Sequence, residues 1–341
     1  MYRDRFVAVV IPAHNEERHV GAVIEHIPSF VDVVIVVDDA STDGTADAVI
    51  ASSRSNVLLI RRPRNGGMGS AIVDGFRAAL DKGADLVAVL DADGQMDSGQ
   101  LSRLLDPIAD GETDFAKGNR FFSRRSFDEM PAYRVLGNLV LTFFTKAATG
   151  YWHMFDSENG YTAISGRMLR TLPLHRLETG YQFPNRLLVE LSTAGARILD
   201  VPMPARYGEE VSGIRPVRDG LAILRALFTG FWGRAAREYF RRPSLPGAFL
   251  ALSLVGLIGG VASLFGMLWD LETAWLGGAV AVAFTLGLGS LALFFALDAA
   301  RKRGRVRPSP AEGPEIVSLD LSSGANQRRE DERELAHREH P

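Results

Sequence analysis

No cysteine occurs anywhere in the 341 residues, which excludes disulfides, thiol nucleophiles and thiolate metal sites and points to a reducing compartment. An excess of either charge is missing too. With 38 Lys and Arg against 41 Asp and Glu the net charge is −3, too small an imbalance to imply nucleic acid as a partner. No internal repeat is evident. Met1 to Arg5 leads at once into the apolar run Phe6 to Ile11. That run is too short for a secretory signal, so the first domain is expected to stay in the cytoplasm. Nearly all uninterrupted apolar sequence lies beyond residue 244.

What is present is organised around Leu86 to Gln95. Leu86 to Leu90 is an unbroken apolar run, as expected of a central parallel strand covered on both faces, and Asp91 and Asp93 follow it directly. Side chains two apart on a strand share a face, so the spacing predicts that both carboxylates converge at the strand's carboxyl end, where open α/β sheets bind ligands. Two oxygen anions there suit Mg2+ or Mn2+ and leave coordination positions for a diphosphate. An Asp- and Gly-rich turn also forms for backbone reasons alone, so the surroundings must decide.

Val7 to Ile11, stopped by Pro12, Val33 to Val37, ending in Asp38 and Asp39, and Val57 to Ile60 read as further strands. Helices are expected over Glu16 to Ile27 with Asn15 as its cap, from the polar loop Ser41 to Thr45 through about Ser53, and from the loop around Gly67 to Leu80. Four such units predict a doubly wound, mostly parallel α/β sheet with its polar loops on one edge. Phe115 to Gly118 and Arg197 to Val201 read as later strands, and Tyr133 to Thr149 and Phe183 to Ala194 as helices. Asp156 to Ser165 reads as a loop entering a strand.

Residues 215–243 change character. Seven Arg stand against two acidic residues from Arg215 to Arg242, interleaved with Leu221, Leu224, Leu227, Phe228, Phe231 and Trp232 near helical spacing. Such a helix suits either the surface of an anionic membrane or packing on the main domain. Within 244–300, the segments 245–269 and 273–297 hold no charged residue. As helices each would span roughly 37 Å, against about 30 Å of hydrocarbon. Only Asp270 to Glu272 separates them, so a tight antiparallel transmembrane hairpin is expected. Arg flanks both outer ends and none lies in the turn, which puts both ends in the cytoplasm. Trp269 and Trp275 fall at interfacial positions, and Gly256 and Gly260 permit close helix contact. Residues 301–341 are polar, of mixed charge and poor in aromatics, and read as a cytoplasmic, mostly disordered tail.

The motifs Ile11 to Glu17, Val37 to Thr45, Asn65 to Gly69 and Asp91 to Gln95, in that order over about 210 residues, resemble family 2 glycosyltransferases. Among these they are most similar to polyprenyl-phosphate (dolichyl-phosphate) mannosyl- and glucosyltransferases. The resemblance implies a GT-A fold, a Rossmann-like sheet, in residues 1–214. It implies that Pro12, His14 and Glu16 line the nucleotide of a sugar-nucleotide donor together with Asp38, Asp39 and Gly67. Asp91 and Asp93 would meet the diphosphate through Mg2+ or Mn2+, Gln95 would assist, and Arg206 would contact the donor phosphates. Arg120 and Arg134 would hold the acceptor phosphate, and Asp156 with Asn159, Gly160 and Tyr161 would form the acceptor-side loop. Three positions depart from the pattern: Met96 stands where many relatives have His, His14 where an aromatic is common, and Asn159 where some mannosyl enzymes have Ser. The Gln-x-x-Arg-Trp motif of processive synthases is absent.

The resulting expectation is a multi-pass enzyme of a cell membrane or an ER-type membrane. It would move one hexose from a UDP- or GDP-sugar to a polyprenyl phosphate, inverting at the anomeric carbon. A phosphate acceptor is largely dianionic at pH 7, with a second pKa near ~6, and needs no general base. Two alternatives stand beside this. Transfer to a lipid or glycan hydroxyl would need Asp156 as base, and a non-catalytic sugar-nucleotide-binding scaffold would bind without turnover. The sequence leaves a homo-oligomer open.

Overall fold

The computed structural model describes residues 1–120, 132–177, 182–203, 216–241, 243–269, 274–302 and 306–308. The N-terminal part is one sheet with helices on both faces. Its strands are β1 (Val7–Ala13), β2 (Val33–Asp38), β3 (Val57–Arg61), β4 (Leu86–Val89), β5 (Phe115–Asn119), β6 (Thr162–Ser165), β7 (Ile198–Pro202) and a short β8 (Val306–Pro308). They lie side by side in the order β3-β2-β1-β4-β6-β5-β7-β8. β1 to β4 are mutually parallel, as are β5 and β7, whereas β6 runs antiparallel to both β4 and β5.

β-Branched residues dominate β1 and β2, and every residue of both strands is buried, as a sheet covered on two sides requires. The period of two sorts them. Val10, Ile35, Val37, Val87 and Val89 face the helices α3 (Met68–Asp81) and α7 (Phe183–Ala194). Val9, Ile11, Val34, Val36, Ala88 and Leu90 face α1 (Val20–His26) and α4 (Leu101–Ala109). Each fully buried aliphatic side chain contributes about 1.5–3 kcal/mol. Gly75 lets α3 lie directly on the sheet, because a Cβ there would come within 2.2 Å of Val10.

After β1 the chain builds β2 and β3 on one side and returns to lay β4 on the other. The loops leaving β1 and β4 therefore diverge and open a crevice at their carboxyl ends. α1 begins at Val20, four residues later than the amphipathic pattern predicts, and Asn15 does not cap it. Asn15 instead adopts a left-handed backbone (φ 59°) and accepts a hydrogen bond from Thr42 N at 2.9 Å. The second helix, α2 (Thr45–Ile50), ends three residues before Ser53.

The helices α5 (Ala132–Thr149) and α8 (Pro216–Ala235) pack beside α7, with Ile223 and Leu227 of α8 buried on Ala148 and Val189. A short α6 (Gly166–Leu169) follows β6. α8 passes into a π-helical turn, Ala236–Phe240, before α9 (Leu245–Trp269) and α10 (Ala274–Lys302). α10 thus runs five residues beyond the expected 273–297. α9 and α10 are antiparallel neighbours, since Gly256 abuts Gly287 and Gly260 abuts Phe284. The close approach that Gly256 and Gly260 allow is used within the chain. Both helices are long and apolar enough to cross a membrane, and Val255, Ile258 and Phe265 are more than 60 % exposed.

Charge ties this pair to the domain. Arg234, fully buried at the end of α8, donates to both oxygens of Asp298 in α10 (2.9 and 3.1 Å) and to the last carbonyls of α5, Ala147 O at 3.0 Å and Ala148 O at 2.8 Å. Tyr239 Oη donates to the same Asp298. Lys302 Nζ donates to Thr149 O at 2.9 Å and to Ser192 Oγ at 2.6 Å. The turn at 270–273 and the tail at 309–341 lie outside the described residues.

Candidate active site

The loops that leave β1, β2 and β3 are stitched into one wall. Asn15 N donates to Ser41 Oγ at 3.0 Å and Glu16 N to Thr45 Oγ1 at 2.8 Å, while His14 Nδ1 sits 2.9 Å from Asp39 O and His14 Nε2 3.2 Å from Asn65 Nδ2. Asp39 is buried and accepts from Gly66 N (3.0 Å), Gly67 N (2.7 Å) and Arg62 Nη1. Gly67, at φ 83°, makes the turn into α3, a conformation that L side chains rarely adopt. Asp38 accepts from Ser41 N at 2.9 Å and lies 3.8 Å from Arg61. Both carboxylates are thus engaged in holding loops in place, and Pro12 is buried at the end of β1.

The rim beyond β4 is different. The strand ends at Val89, and Leu90 N still donates to Val10 O at 3.1 Å. Asp91 and Asp93 therefore reach a common cavity through a turn, with Gly94 at φ 75°, and not by strand alternation as the spacing suggests. Asp93 Oδ1 accepts from Gln95 N at 2.9 Å. Asp91 Oδ1 is buried with no hydrogen-bond partner among the described residues. Burial first and the Asp93 charge second push its carboxyl up to about 7, with Arg120 opposing and Glu16 adding to the rise. Glu16 is thereby within electrostatic reach of the rim.

A cavity of about 100 Å³ opens here, lined among others by Asp91, Asp93, Gln95, Arg120, Glu158, Asn159, Gly160 and Tyr161. A Cβ on Gly160 would come within 3.3 Å of Asp91 Oδ2, so glycine there keeps the carboxylate's approach open. Arg120 is fixed by a bidentate ion pair in which Nε and Nη2 each lie 2.8 Å from the oxygens of Asp156, and its backbone N adds a third bond at 3.0 Å. Burial alone would raise the Asp156 carboxyl, but the Arg120 guanidinium holds it below the usual range. Asp156 is 1 % exposed and stands behind Arg120, outside the cavity lining.

Two charged groups here escape a reading of the sequence. Lys117, on β5, donates to Phe155 O at 3.0 Å and to Asp156 O, pinning the loop at Phe155 and Asp156. Glu158 lines the cavity, its carboxyl raised by burial while Asn185 Nδ2 (3.0 Å) and Ser157 Oγ (3.0 Å) donate to it. Glu158 falls inside a segment the motif already marks, but nothing local separates it from a solvated acid. Lys117 follows the apolar pair Phe115 and Ala116 within a buried strand, which is the one sequence signal it leaves. Arg206 lies outside the described residues, and Arg134 lies on α5 with its side chain outside them.

The donor set at the rim is two carboxylates. Among the described residues no group of three or more His, Cys, Asp or Glu converges as a ready metal cage. An orphaned buried oxygen on a carboxyl raised by its neighbour is nonetheless what an oxygen-seeking divalent cation relieves, and a site with few protein ligands leaves room for substrate phosphates. The residues fit such an ion.

Comparison with known proteins agrees with this geometry. Residues 8–172 match the profile of glycosyl transferase family 2. A UDP-N-acetylglucosamine–dolichyl-phosphate N-acetylglucosaminyltransferase of Methanococcus voltae is 28 % identical over 221 residues, covering 60 % of this chain and 88 % of that protein. An undecaprenyl-phosphate mannosyltransferase of Micrococcus luteus is 29 % identical over 236 residues, covering 68 % and 95 %. In fold, the sheet and its helices resemble the crystal structure of glucosyl-3-phosphoglycerate synthase from Mycobacterium tuberculosis in complex with Mn2+, UDP and phosphoglyceric acid. The TM-score is 0.52 at 23 % identity, over 68 % of this chain and 78 % of that one. With the mostly parallel GT-A sheet, the acidic rim and these relatives together, the chain belongs to glycosyl transferase family 2 and is a glycosyltransferase.

Proposed function

We propose that this enzyme transfers a single hexose from a UDP- or GDP-sugar to the phosphate of a polyprenyl phosphate, with inversion by direct displacement. The observation that carries the reading is the buried, unpartnered Asp91 oxygen, set beside Asp93 in a cavity that Arg120 also lines. The two relatives named above act, by their names, on dolichyl and undecaprenyl phosphates, and the fold relative was crystallised with Mn2+ and UDP. Asp91 and Asp93 would hold a Mg2+ or Mn2+ ion, which when bound neutralises charge on the departing diphosphate.

The chain's own residues supply the rest. The cavity is too small for a whole sugar nucleotide, which needs several hundred cubic ångströms. The nucleotide would therefore run back along the wall formed by Pro12, His14, Glu16 and Gly67, whose loops Asp38 and Asp39 keep in shape, with Arg206 toward the phosphates. Glu158 and Asn159 line the cavity where a sugar ring would sit. Arg120, preset by Asp156, would receive the acceptor phosphate together with Arg134. That acceptor arrives as an anion and requires no proton to be removed. Asp156 is poorly suited to serve as a general base, because Arg120 occupies both of its oxygens and holds its carboxyl low. This argues against a hydroxyl acceptor.

α9 and α10 would cross the membrane as a hairpin, with the catalytic domain and both flanking ends on the cytoplasmic side, close to the acceptor's headgroup. Incubation of the purified full chain with a panel of UDP- and GDP-hexoses, a short polyprenyl phosphate and Mg2+ or Mn2+, read by mass, tests the proposal. Formation of a glycosyl polyprenyl phosphate is expected. Transfer only to a polyprenol or a glycan hydroxyl, or donor binding with no product at all, would overturn it.

A further inference from the structure

A second cavity, larger than the one at the acidic rim, lies elsewhere in the molecule. About 620 Å³ opens where the end of α7, the π-helical turn and the adjoining ends of α9 and α10 meet. It shares no lining residue with the cavity at Asp91. Its walls are strongly basic, and the charges divide into two groups. Arg234 is neutralised by Asp298, and Lys302 lies 3.2 Å from Glu238. Arg237, Arg241 and Arg301 have no carboxylate partner among the described residues. Arg237 Nη2 donates to Thr193 Oγ1 at 3.1 Å, but its Nε is buried with no hydrogen-bond partner there. The Arg301 guanidinium lies 5.8 Å from the Tyr239 ring.

Three guanidinium groups around one space repel each other, and a buried N–H without an acceptor costs about 1–3 kcal/mol. A single group offering several anionic oxygens removes both penalties. Phosphate matches guanidinium forks in this way.

From this we infer that the cavity binds the phosphate headgroup of an anionic membrane lipid, at a place distinct from the catalytic cavity. The inference rests on the reading that α9 and α10 cross a membrane. Ser244 and Pro243 line the cavity immediately before the first apolar span, and Arg301 and Lys302 line it at the end of the second. That is the level at which headgroups lie, and basic pockets at this depth take anionic lipid. A volume of this size holds a glycerophosphate headgroup with the start of its chains.

Native mass spectrometry of the detergent-solubilised full chain, titrated with phosphatidylglycerol or with phosphatidylcholine, tests this. Phosphatidylglycerol is expected to bind about tenfold more tightly than phosphatidylcholine, and the combined variant Arg237→Gln, Arg241→Gln, Arg301→Gln to lose that preference. The matching Lys substitutions, which keep the charge, should retain most of it and control for folding. Equal retention of the two lipids by the wild type, or an undiminished preference in the Gln variant, would overturn the inference. So would displacement of phosphatidylglycerol by an equal concentration of inorganic phosphate, which would mark a free-phosphate site. Binding in micelles does not depend on insertion. Recovery of the full chain in the soluble fraction of lysed cells would instead overturn the membrane reading itself.

Discussion

At the acidic rim and at the base of the helix pair the chain buries carboxylates under opposite conditions. Asp298 has no exposed surface, and its oxygens accept from both arms of Arg234 and from Tyr239. Asp91 is equally removed from water at Oδ1, yet nothing among the described residues donates to that atom, and the charge acting on it most strongly is the like charge of Asp93. Burying a charge is tolerated when a partner is built in. Where the partner is missing from the fold, something from outside has to provide it, and the fold accepts a stability cost to keep the place open. Asp156 illustrates the first condition inside the active site itself, since its partner Arg120 is the residue it positions.

The comparison can be broken most directly at Asp91. Asp91→Asn should reduce sugar transfer by about 10³-fold, because the site then cannot neutralise the leaving diphosphate, yet thermal denaturation should show a stability equal to or above wild type. A parallel loss of stability would mean that Asp91 is structural after all. Asp298→Asn should do the reverse. With the buried Arg234 left uncompensated, stability should drop by about 3 kcal/mol in denaturant titration, while turnover per folded molecule holds. Combining Arg234→Met with Asp298→Leu should restore much of that loss, since an apolar pair of similar volume avoids the desolvation cost.

Arg120→Lys keeps charge but loses the fork, and kcat/KM measured against the acceptor should fall about 30-fold, with the donor's KM little changed. The smallest effect separates solvation from ligand binding. Asp200, on β7, also has a buried oxygen without a partner, but it does not line the cavity. Burial raises its carboxyl to about 6, with Lys117 opposing. The folded protein then keeps a proton there up to about pH 6, whereas the unfolded chain releases it near ~3.9. Between those values the folded state binds more protons and loses stability as pH rises. Asp200→Asn should therefore raise stability by about 1–2 kcal/mol at pH 7.5 and leave it unchanged at pH 4. Denaturation profiles across that range read the difference, and transfer should be unaffected.

Much of this architecture is written locally. Runs such as Val33 to Val37 can only be strands, α7 occupies the residues its apolar spacing marks, and an acidic pair directly after Leu86 to Leu90 points to the ligand edge. What escapes is pairing across distance. Nothing near Thr162 says that β6 runs backwards between β4 and β5. Helical periodicity from Glu16 onward is real, but Asn15 and Glu16 are drawn to the neighbouring loop at Thr42 and Thr45, and the helix starts only at Val20. Arg234 and Asp298 stand 64 positions apart. A solitary acid in the final turn of an apolar helix was their one visible sign, since such residues are kept only with a partner.

That ion pair also decides how replaceable the C-terminal helices are. A pair of apolar helices spliced on from an unrelated protein would match α9 and α10 in length and hydropathy, but it would carry no acid at the position of Asp298. Arg234 would then sit uncompensated beneath α5, and the carbonyls of Ala147 and Ala148 would lose a firmly seated donor. The helices therefore act as a fitted part of the fold, and grafting experiments must carry that one aspartate across with them.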